Sequence, residues 1–293
     1  MYYPHTAFLV LTTACNRRGT CEHCFYNVEP ERNISGAPDT RQTEALIENL
    51  RLSGLRTIVF TGGEPTLRPD LPVLVDKASR FSLETVLLTN GVLLNGELVT
   101  ELSNKGLGAT VVSLSQFDLT ERRAANVLAE HSRMPFSFIF CFSKKTYERI
   151  PDAIQFARDY MAPIIFQPAY IPAGHEREQE LSMLAVDAFE WGRIYTMLRP
   201  WARAAGYENY LKLMHASYTG NGARPPRCAM SGNALVVDAD GRVYPCFHRR
   251  DLDCGCAWDD GFPHALAAWR ETVTPTRGAA CFGGHCLSLH TGV

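Results

Sequence analysis

The chain has 293 residues, 46% apolar and 10% aromatic, which is enough for one large globular domain or one domain with an appendage. Lys and Arg number 29 against 31 Asp and Glu, a net charge of −2 that gives no electrostatic reason to expect a nucleic-acid partner. No apolar run reaches the ~18 residues of a membrane span, and residues 1–10 carry neither a basic n-region nor a small-residue cleavage site, so a cytoplasmic protein with no membrane partner is expected.

Residues 7–12 form a continuous apolar run, read as a buried strand. Asp39 with Gln42 has the form of a capping pair, and Leu46, Ile47 and Leu50 give the helix that follows one apolar face; Ser53-Gly54 ends it. Thr57–Thr61 is a second strand, closed by Gly62-Gly63-Glu64-Pro65. Asp70 is expected to cap a helix that places Leu71, Leu74, Val75 and Ala78 on one face. Strands follow at Thr85–Leu88, Ala109–Leu114, Phe136–Phe142 and Ile164–Gln167, with helices at Glu97–Lys105, Thr120–His131, Pro151–Tyr160 and about 182–205. The strands read as mostly apolar throughout, as parallel strands buried on both faces do. Six βα units with short loops predict a parallel sheet with helices outside, either doubly wound or a whole or partial barrel. Residues 220–226 make the best linker, which divides the chain into 1–219 and a small Cys-rich region, 220–293.

Ten cysteines are many for a chain without an export signal, and in a reducing compartment they suggest metal ligands or reactive thiols. Cys15, Cys21 and Cys24, spaced Cys-x5-Cys-x2-Cys, lie just beyond the first strand, on the rim where α/β barrels place their chemistry. Three thiolates can hold three irons of a [4Fe–4S] cube and leave the fourth iron open. On spacing alone, a zinc site completed by His23 or His5 is the alternative.

The residues Thr12, Cys15-Asn16, Cys21-Glu22-His23-Cys24-Phe25-Tyr26, Gly62-Gly63-Glu64-Pro65 and Thr89-Asn90-Gly91 resemble the radical S-adenosylmethionine (radical SAM) family. A weaker match runs from Phe166-Gln167-Pro168 to Pro172-Ala173-Gly174, so the resemblance covers about 7–175. It implies a partial (β/α)6 barrel. It also implies a [4Fe–4S] cluster on Cys15, Cys21 and Cys24 whose open iron chelates SAM, cleaved reductively to methionine and a 5′-deoxyadenosyl radical that abstracts a substrate hydrogen. Gly62, Gly63, Glu64, Pro65, Asn90 and Gln167 would then contact SAM, with Glu64 suited to its ammonium and the glycines admitting the methionine moiety. Ser113 and Ser115 would reach the ribose, plain strand-end capping being the alternative for both. Most of the family has three residues between the first two cysteines; here Asn16 to Thr20 make five, with Gly19 allowing a tight return.

Cys228 and Cys246 flank Gly241 as Cys-x12-Gly-x4-Cys, and Leu235–Tyr244 reads as a hairpin. With Cys254-Gly255-Cys256, a short helix near 263–270 and Cys281-x4-Cys286, residues 221–290 resemble the SPASM/twitch auxiliary-cluster domain of many radical SAM enzymes. That resemblance assigns Cys228, Cys246, Cys281 and Cys286 to one auxiliary [4Fe–4S] cluster. Cys254 and Cys256 are left to a second, incompletely held cluster or to exchange with the first set, with His248 or His285 filling in. A zinc ribbon is the alternative on spacing.

In Phe136–Phe142 the even positions are all Phe, suited to pack under helices, so Cys141 is expected to face inward and is a candidate hydrogen-atom donor to a substrate. Arg17-Arg18 and Arg249-Arg250 read as solvated surface, and Tyr2 and Tyr3 as packing at the barrel bottom. The expected function is a radical SAM oxidoreductase or maturase acting on a peptide or natural-product precursor. The first strand leaves no room for an N-terminal leader-binding domain, so a separate leader-binding protein and an electron donor such as flavodoxin or ferredoxin are the expected partners. Dehydrogenation or decarboxylation of a small sugar or nucleoside is the alternative within the family, and a non-catalytic metal-binding module the alternative outside it.

Overall fold

Apolar runs bounded by turn residues form strands here, and amphipathic stretches between them form helices. The computed structural model describes residues 4–34, 38–172, 174–220, 230, 232–258 and 261–273. In chain order the regular elements are β1 (Thr6–Val10), α1 (Phe25–Val28), α2 (Thr40–Leu52), β2 (Thr57–Thr61), α3 (Leu71–Arg80), β3 (Glu84–Thr89), α4 (Gly96–Asn104), β4 (Ala109–Leu114), α5 (Leu119–His131), β5 (Phe136–Phe142), α6 (Ile150–Asp159) and β6 (Ile164–Pro168). There follow α7 (Glu178–Leu181), α8 (Ala188–Ala205), α9 (Glu208–Thr219), β7 (Ala234–Val237), β8 (Val243–Tyr244) and α10 (Phe262–Val273). The strands make one open sheet in the order β6-β5-β4-β3-β2-β1-β7-β8. Every pairing from β6 to β7 is parallel, and β8 closes an antiparallel hairpin with β7. This is the α/β fold of a partial, TIM-like barrel. Among the described residues no helix is long and apolar enough to cross a membrane.

Helix starts follow local chemistry. Asp39 and Gln42 form a reciprocal capping box on α2, and Asn95, Asp118 and Asp187 each accept an amide N–H at the first turn of α4, α5 and α8. Asp70 departs from expectation: its carboxylate accepts from Arg68 Nε (2.7 Å) and Thr40 Oγ1 (2.7 Å) and does not cap α3. A guanidinium two residues away outcompetes the helix amides for the same oxygens.

Of the six strands expected to be buried on both faces, β1 and β2 are, as is β7 beside them. Along β3 to β6, buried residues alternate with half-buried ones. The buried set, including Val112, Phe138, Phe140, Phe142 and Phe166, packs under the helices, with Phe138 edge-on to Phe156 at 5.2 Å and Phe166 to Trp201 at 4.9 Å. The half-buried set, including Ser113, Ile139, Cys141 and Gln167, lines the concave side of an incompletely closed barrel. On the concave side of β1 and β7 a separate apolar cluster gathers Phe8, Val10, Val59, Val236 and Tyr244, with Phe247 packing against it and meeting Phe8 at 5.3 Å.

The helix expected over 182–205 is a short 3-10 turn at 183–185 followed by α8, and α9 is an addition, its Tyr218 stacked on Trp191 at 4.5 Å. The hairpin expected around Gly241 is present. Its strand β7 also extends the barrel sheet, with Thr6 opposite Ala234 and Leu9 opposite Val237, so the sheet runs on across the division drawn at 219 and 220. Tyr2, Tyr3, residues 221–226, Cys228, Cys281, His285 and Cys286 lie outside the described residues.

Gly241 has φ +83°, and a Cβ there would overlap the Trp258 indole. Gly241→Ala therefore combines left-handed strain of about 1–2 kcal/mol with a steric clash. A lower urea midpoint at unchanged slope is the expected result, by about 2 kcal/mol in unfolding free energy.

Candidate functional site

The site is built on the carboxyl ends of β1 to β4. Where β2 ends, Gly63 N–H donates to Thr12 O (2.7 Å) and Glu64 N–H to Ala14 O (2.8 Å), laying the Gly-Gly-Glu turn against the segment that leads into Cys15. A Cβ at Gly62 would collide with Thr12 O and one at Gly63 with Ala14 O, and Gly62 also has φ +153°. The two glycines thus admit the backbone of the cysteine loop itself.

Glu64 is fully buried. Its Oε1 accepts from Thr66 N–H (3.0 Å), Thr66 Oγ1 (2.5 Å) and Thr89 Oγ1 (2.6 Å), and its Oε2 accepts from Asn90 N–H (2.7 Å). The carboxylate ties the end of β2 to the end of β3. Asn90 continues outward: its Nδ2 donates to Asn16 Oδ1 (2.8 Å) and lies 3.7 Å from Cys15 Sγ. Pro65 is buried at the start of the 3-10 turn that follows.

Residues 16–20, between the first two cysteines, form consecutive turns. Thr20 N–H and Thr20 Oγ1 both donate to Arg17 O (3.0 Å each), and Asn27 Nδ2 donates to Arg18 O (2.5 Å) and Cys21 O (2.8 Å). Gly19 has room for a Cβ and no positive φ, so the return of the loop does not depend on glycine. Burial, then the neighbouring Cys24 and Cys15 thiols, push the Cys21 pKa up to about 11. Burial raises that of Cys24 as well. Cys141, on the concave side of β5 and in register with Gln167 on β6, is pushed up to about 12 by burial and then by Cys21 and Cys24. The raised thiols of Cys21, Cys24 and Cys141 thus lie within electrostatic reach of one another at the mouth of the barrel. Such sulfurs resist ionising until a cation shares them, which suits an iron centre. Among the described residues no three Cys, His, Asp or Glu side chains converge as ligands of a single ion. A cube would spread three thiolates over three irons, one thiolate to each. Burial lowers the His23 pKa to about 4, leaving a neutral imidazole in this loop at pH 7.

Ser115 N–H (2.8 Å) and Ser115 Oγ (3.0 Å) both donate to Glu121 Oε1, so that hydroxyl is turned to α5, while Ser113 remains on the half-buried row of β4. Arg17 is buried, against the expectation of a solvated side chain. Its Nη1 meets Glu121 Oε1 at 2.9 Å and its Nη2 meets Asp118 Oδ2 at 2.7 Å. Arg18 Nη2 donates to Thr13 O (2.6 Å). Arg249 and Arg250 are both half-buried: Arg250 pairs with buried Asp238 and lies over the Tyr244 ring at 4.9 Å, whereas Arg249 pairs with exposed Asp251. A capping signature, Asp118-x-x-Glu121, was the sequence sign that could have drawn attention to the partners of Arg17.

On the far side of the mouth, Glu22 pairs with Lys145 (2.9 Å) and Arg177 (2.8 Å), and Glu180 with both of these cations. His175 Nε2 lies 2.9 Å from Val28 O, and Val28, Ile171 and Leu181 pack together. The segment after β6 therefore docks on the cysteine loop. Toward the hairpin, Cys246 lines a small cleft together with Tyr26, Arg32, Asp238 and Arg250. Cys254 is not beside it. It is buried in the main core with its Sγ 3.8 Å from Thr272 Oγ1, and Cys256 is exposed.

The sequence pattern of the Radical SAM superfamily matches residues 9–181, more than half of the chain. Among curated relatives, the Fe-coproporphyrin III synthase of Methanosarcina barkeri is 37% identical over 107 residues, 36% of this chain and 25% of that protein. The PqqA peptide cyclase of Gluconobacter oxydans is 31% identical over 155 residues, 48% of this chain and 42% of that protein. The aligned stretches therefore span less than half of either relative. Among solved structures, native anSMEcpe with bound AdoMet has a TM-score of 0.68 at 17% identity, covering 91% of this chain and 82% of that one. That likeness concerns the fold.

Gly63→Ala is expected to lift the cysteine loop off the β2 turn and to weaken iron retention after anaerobic reconstitution about tenfold, the lower end of outer-shell effects on metal affinity. Gly19→Ala, in the same loop but with open space around it, is expected to retain iron as the parent does. Chelator-competition titrations of the two variants check the contrast.

Proposed function

The chain belongs to the radical SAM superfamily, and from that premise we propose that it is an iron–sulfur enzyme that cleaves S-adenosylmethionine reductively and modifies a peptide. The observation that carries the enzymatic reading is the backbone pairing of the Cys15 loop with the Gly62-Gly63-Glu64 turn at the sheet's carboxyl edge. Cys15, Cys21 and Cys24 would hold a [4Fe–4S] cluster. With SAM bound, such a cluster would supply one-electron reduction of the sulfonium, the source of a 5′-deoxyadenosyl radical able to take a substrate hydrogen.

The residues of the chain bind, orient and enclose. Gly62, Gly63, Glu64 and Pro65 form the wall against which the methionine part of SAM would lie, with Asn90 beside Cys15. Ser113 on β4 and Gln167 on β6 are the proposed contacts to the nucleoside, whereas the Ser115 hydroxyl, expected to join them, is held by Glu121. The half-buried concave row that includes Ile139 and Cys141 would face the substrate and limit water around it. Cys141 is proposed to return a hydrogen atom from its thiol to a substrate carbon radical. The resulting thiyl needs one electron and one proton from a low-potential donor of the flavodoxin or ferredoxin class to reset. At the hairpin side, Cys246 with Cys228, Cys281 and Cys286 is proposed to hold an auxiliary cluster. The core position of Cys254 argues for leaving it out of that set.

Support for a peptide substrate comes from the name of the Gluconobacter relative, a peptide cyclase. The Methanosarcina relative, a porphyrin enzyme by name, keeps a small-molecule substrate as the second reading.

Anaerobically reconstituted protein, given dithionite and SAM, is expected to release 5′-deoxyadenosine and methionine, and Cys15→Ala to reduce the yield to background. Equal yields from the two proteins would end the enzymatic reading. Cys141→Ala is expected to keep SAM cleavage while blocking deuterium incorporation from D2O into product. Unchanged incorporation would remove Cys141 from the reaction.

A further inference from the structure

We infer that Arg17 is the positioning residue of the cluster loop: its side chain anchors the five-residue spacer to α5, so that its own amide N–H is held on the Cys15 sulfur. This rests on the reading of Cys15, Cys21 and Cys24 as cluster ligands.

Three observations meet at this residue. Its backbone N–H donates to Cys15 Sγ at 3.4 Å. Its guanidinium spans two acids more than a hundred positions away, Asp118 Oδ2 at 2.7 Å and Glu121 Oε1 at 2.9 Å. Its carbonyl receives both donors of Thr20, the residue before Cys21. One residue therefore connects the first cysteine, the approach to the second, and the β4–α5 turn.

Its anchor is rigid. Glu121 is fully buried, and besides Arg17 it accepts from Ser115 N–H (2.8 Å), Ser115 Oγ (3.0 Å), Gln116 N–H (3.2 Å) and Phe117 N–H (2.5 Å). Asp118 is at the same time the N-cap of α5 through Glu121 N–H (3.0 Å). A buried arginine bridging two fixed carboxylates has little freedom, and the loop it carries inherits that restraint. Adding residues to a spacer raises the entropy of closing it, modestly for each residue. Arg17 offsets that cost in this widened loop by fixing the loop at its second position. Hydrogen bonds to cluster sulfurs tune reduction potential by stabilising the more negative, reduced state. Holding the amide on Cys15 therefore raises the potential, and releasing it lowers the potential.

The experiment compares parent, Arg17→Ala, Arg17→Lys and Asp118→Asn, each reconstituted anaerobically with iron and sulfide. Asp118→Asn keeps an N-capping oxygen on α5 and removes one of the two anchors. Far-UV circular dichroism confirms folding. The readouts are the cluster's reduction potential, followed by electron paramagnetic resonance, and the rate of iron loss to a chelator. Arg17→Ala is expected to shift the potential to more negative values and to speed iron loss about tenfold. Arg17→Lys and Asp118→Asn, which keep one anchor each, are expected to fall between it and the parent. Should Arg17→Ala misfold, because Glu121 is left buried without a cation, the two milder variants decide by the same readouts. A potential and an iron-loss rate equal to the parent's in every folded variant overturn the proposal, while leaving the family reading intact. A parent protein that takes up no cluster overturns both.

Discussion

Glu64 carries a charge with no exposed surface, and the site depends on that being tolerable. Burying an unpaired carboxylate costs many kcal/mol in principle, and only hydrogen bonds from every side make it affordable. Here the donors are two amides and two threonine hydroxyls drawn from the ends of β2 and β3. The same residue, through its own amide, holds Ala14 O and with it the start of the cysteine loop. One residue, through its side chain and its amide, therefore fixes the relative position of three strand ends. The loop that carries Cys15 inherits its placement from the sheet rather than from its own sequence.

A second buried carboxylate, Glu121, repeats the solution at the end of β4 with an added cation. Four donors from Ser115, Gln116 and Phe117 surround it, and Arg17 balances its charge. Between them, Glu64 and Glu121 hold the loop from both sides of Cys15. Exposed pairs at the far side of the mouth differ in kind. Glu22, Lys145, Arg177 and Glu180 are all substantially solvated, and pairs of that sort weaken in salt and contribute little each. The buried contacts set geometry, whereas the exposed ones bring the segment after β6 alongside.

Much of this arrangement was legible in residue order. Apolar runs marked the first six strands, the Asp39–Gln42 pair marked α2, and the clustered cysteines with the Gly-Gly-Glu turn marked the rim and the family. What escaped was non-local. Arg17-Arg18 looks like solvated surface because nothing nearby says that Asp118 and Glu121 will arrive beside the first of the two. Two-sided burial was inferred for all strands from their apolar character, but an incompletely closed barrel leaves one face of β3 to β6 only half covered. Cys254 and Cys256 looked equivalent by spacing. Packing against α10 separates them, since one thiol turns to Thr272 and the other to solvent. The glycines at 62 and 63 were expected to make room for a ligand; the fold adds that they make room for the backbone of the cysteine loop.

The pairing of β7 with β1 has a consequence for how the protein is made. β1 is an interior strand of the sheet, yet one of its two neighbours, β7, comes from the far end of the described residues, with Thr6 opposite Ala234. Until β7 is made, β1 presents an unpaired edge, and the loop bearing three thiols hangs from that edge while the six strands of the barrel are already synthesised. Closing the longest-range contact comes last because it carries the largest entropic cost. The strand that carries the thiol loop is accordingly flanked on both sides only once the hairpin is in place, and a product lacking the hairpin would expose an adhesive strand beside the three thiols.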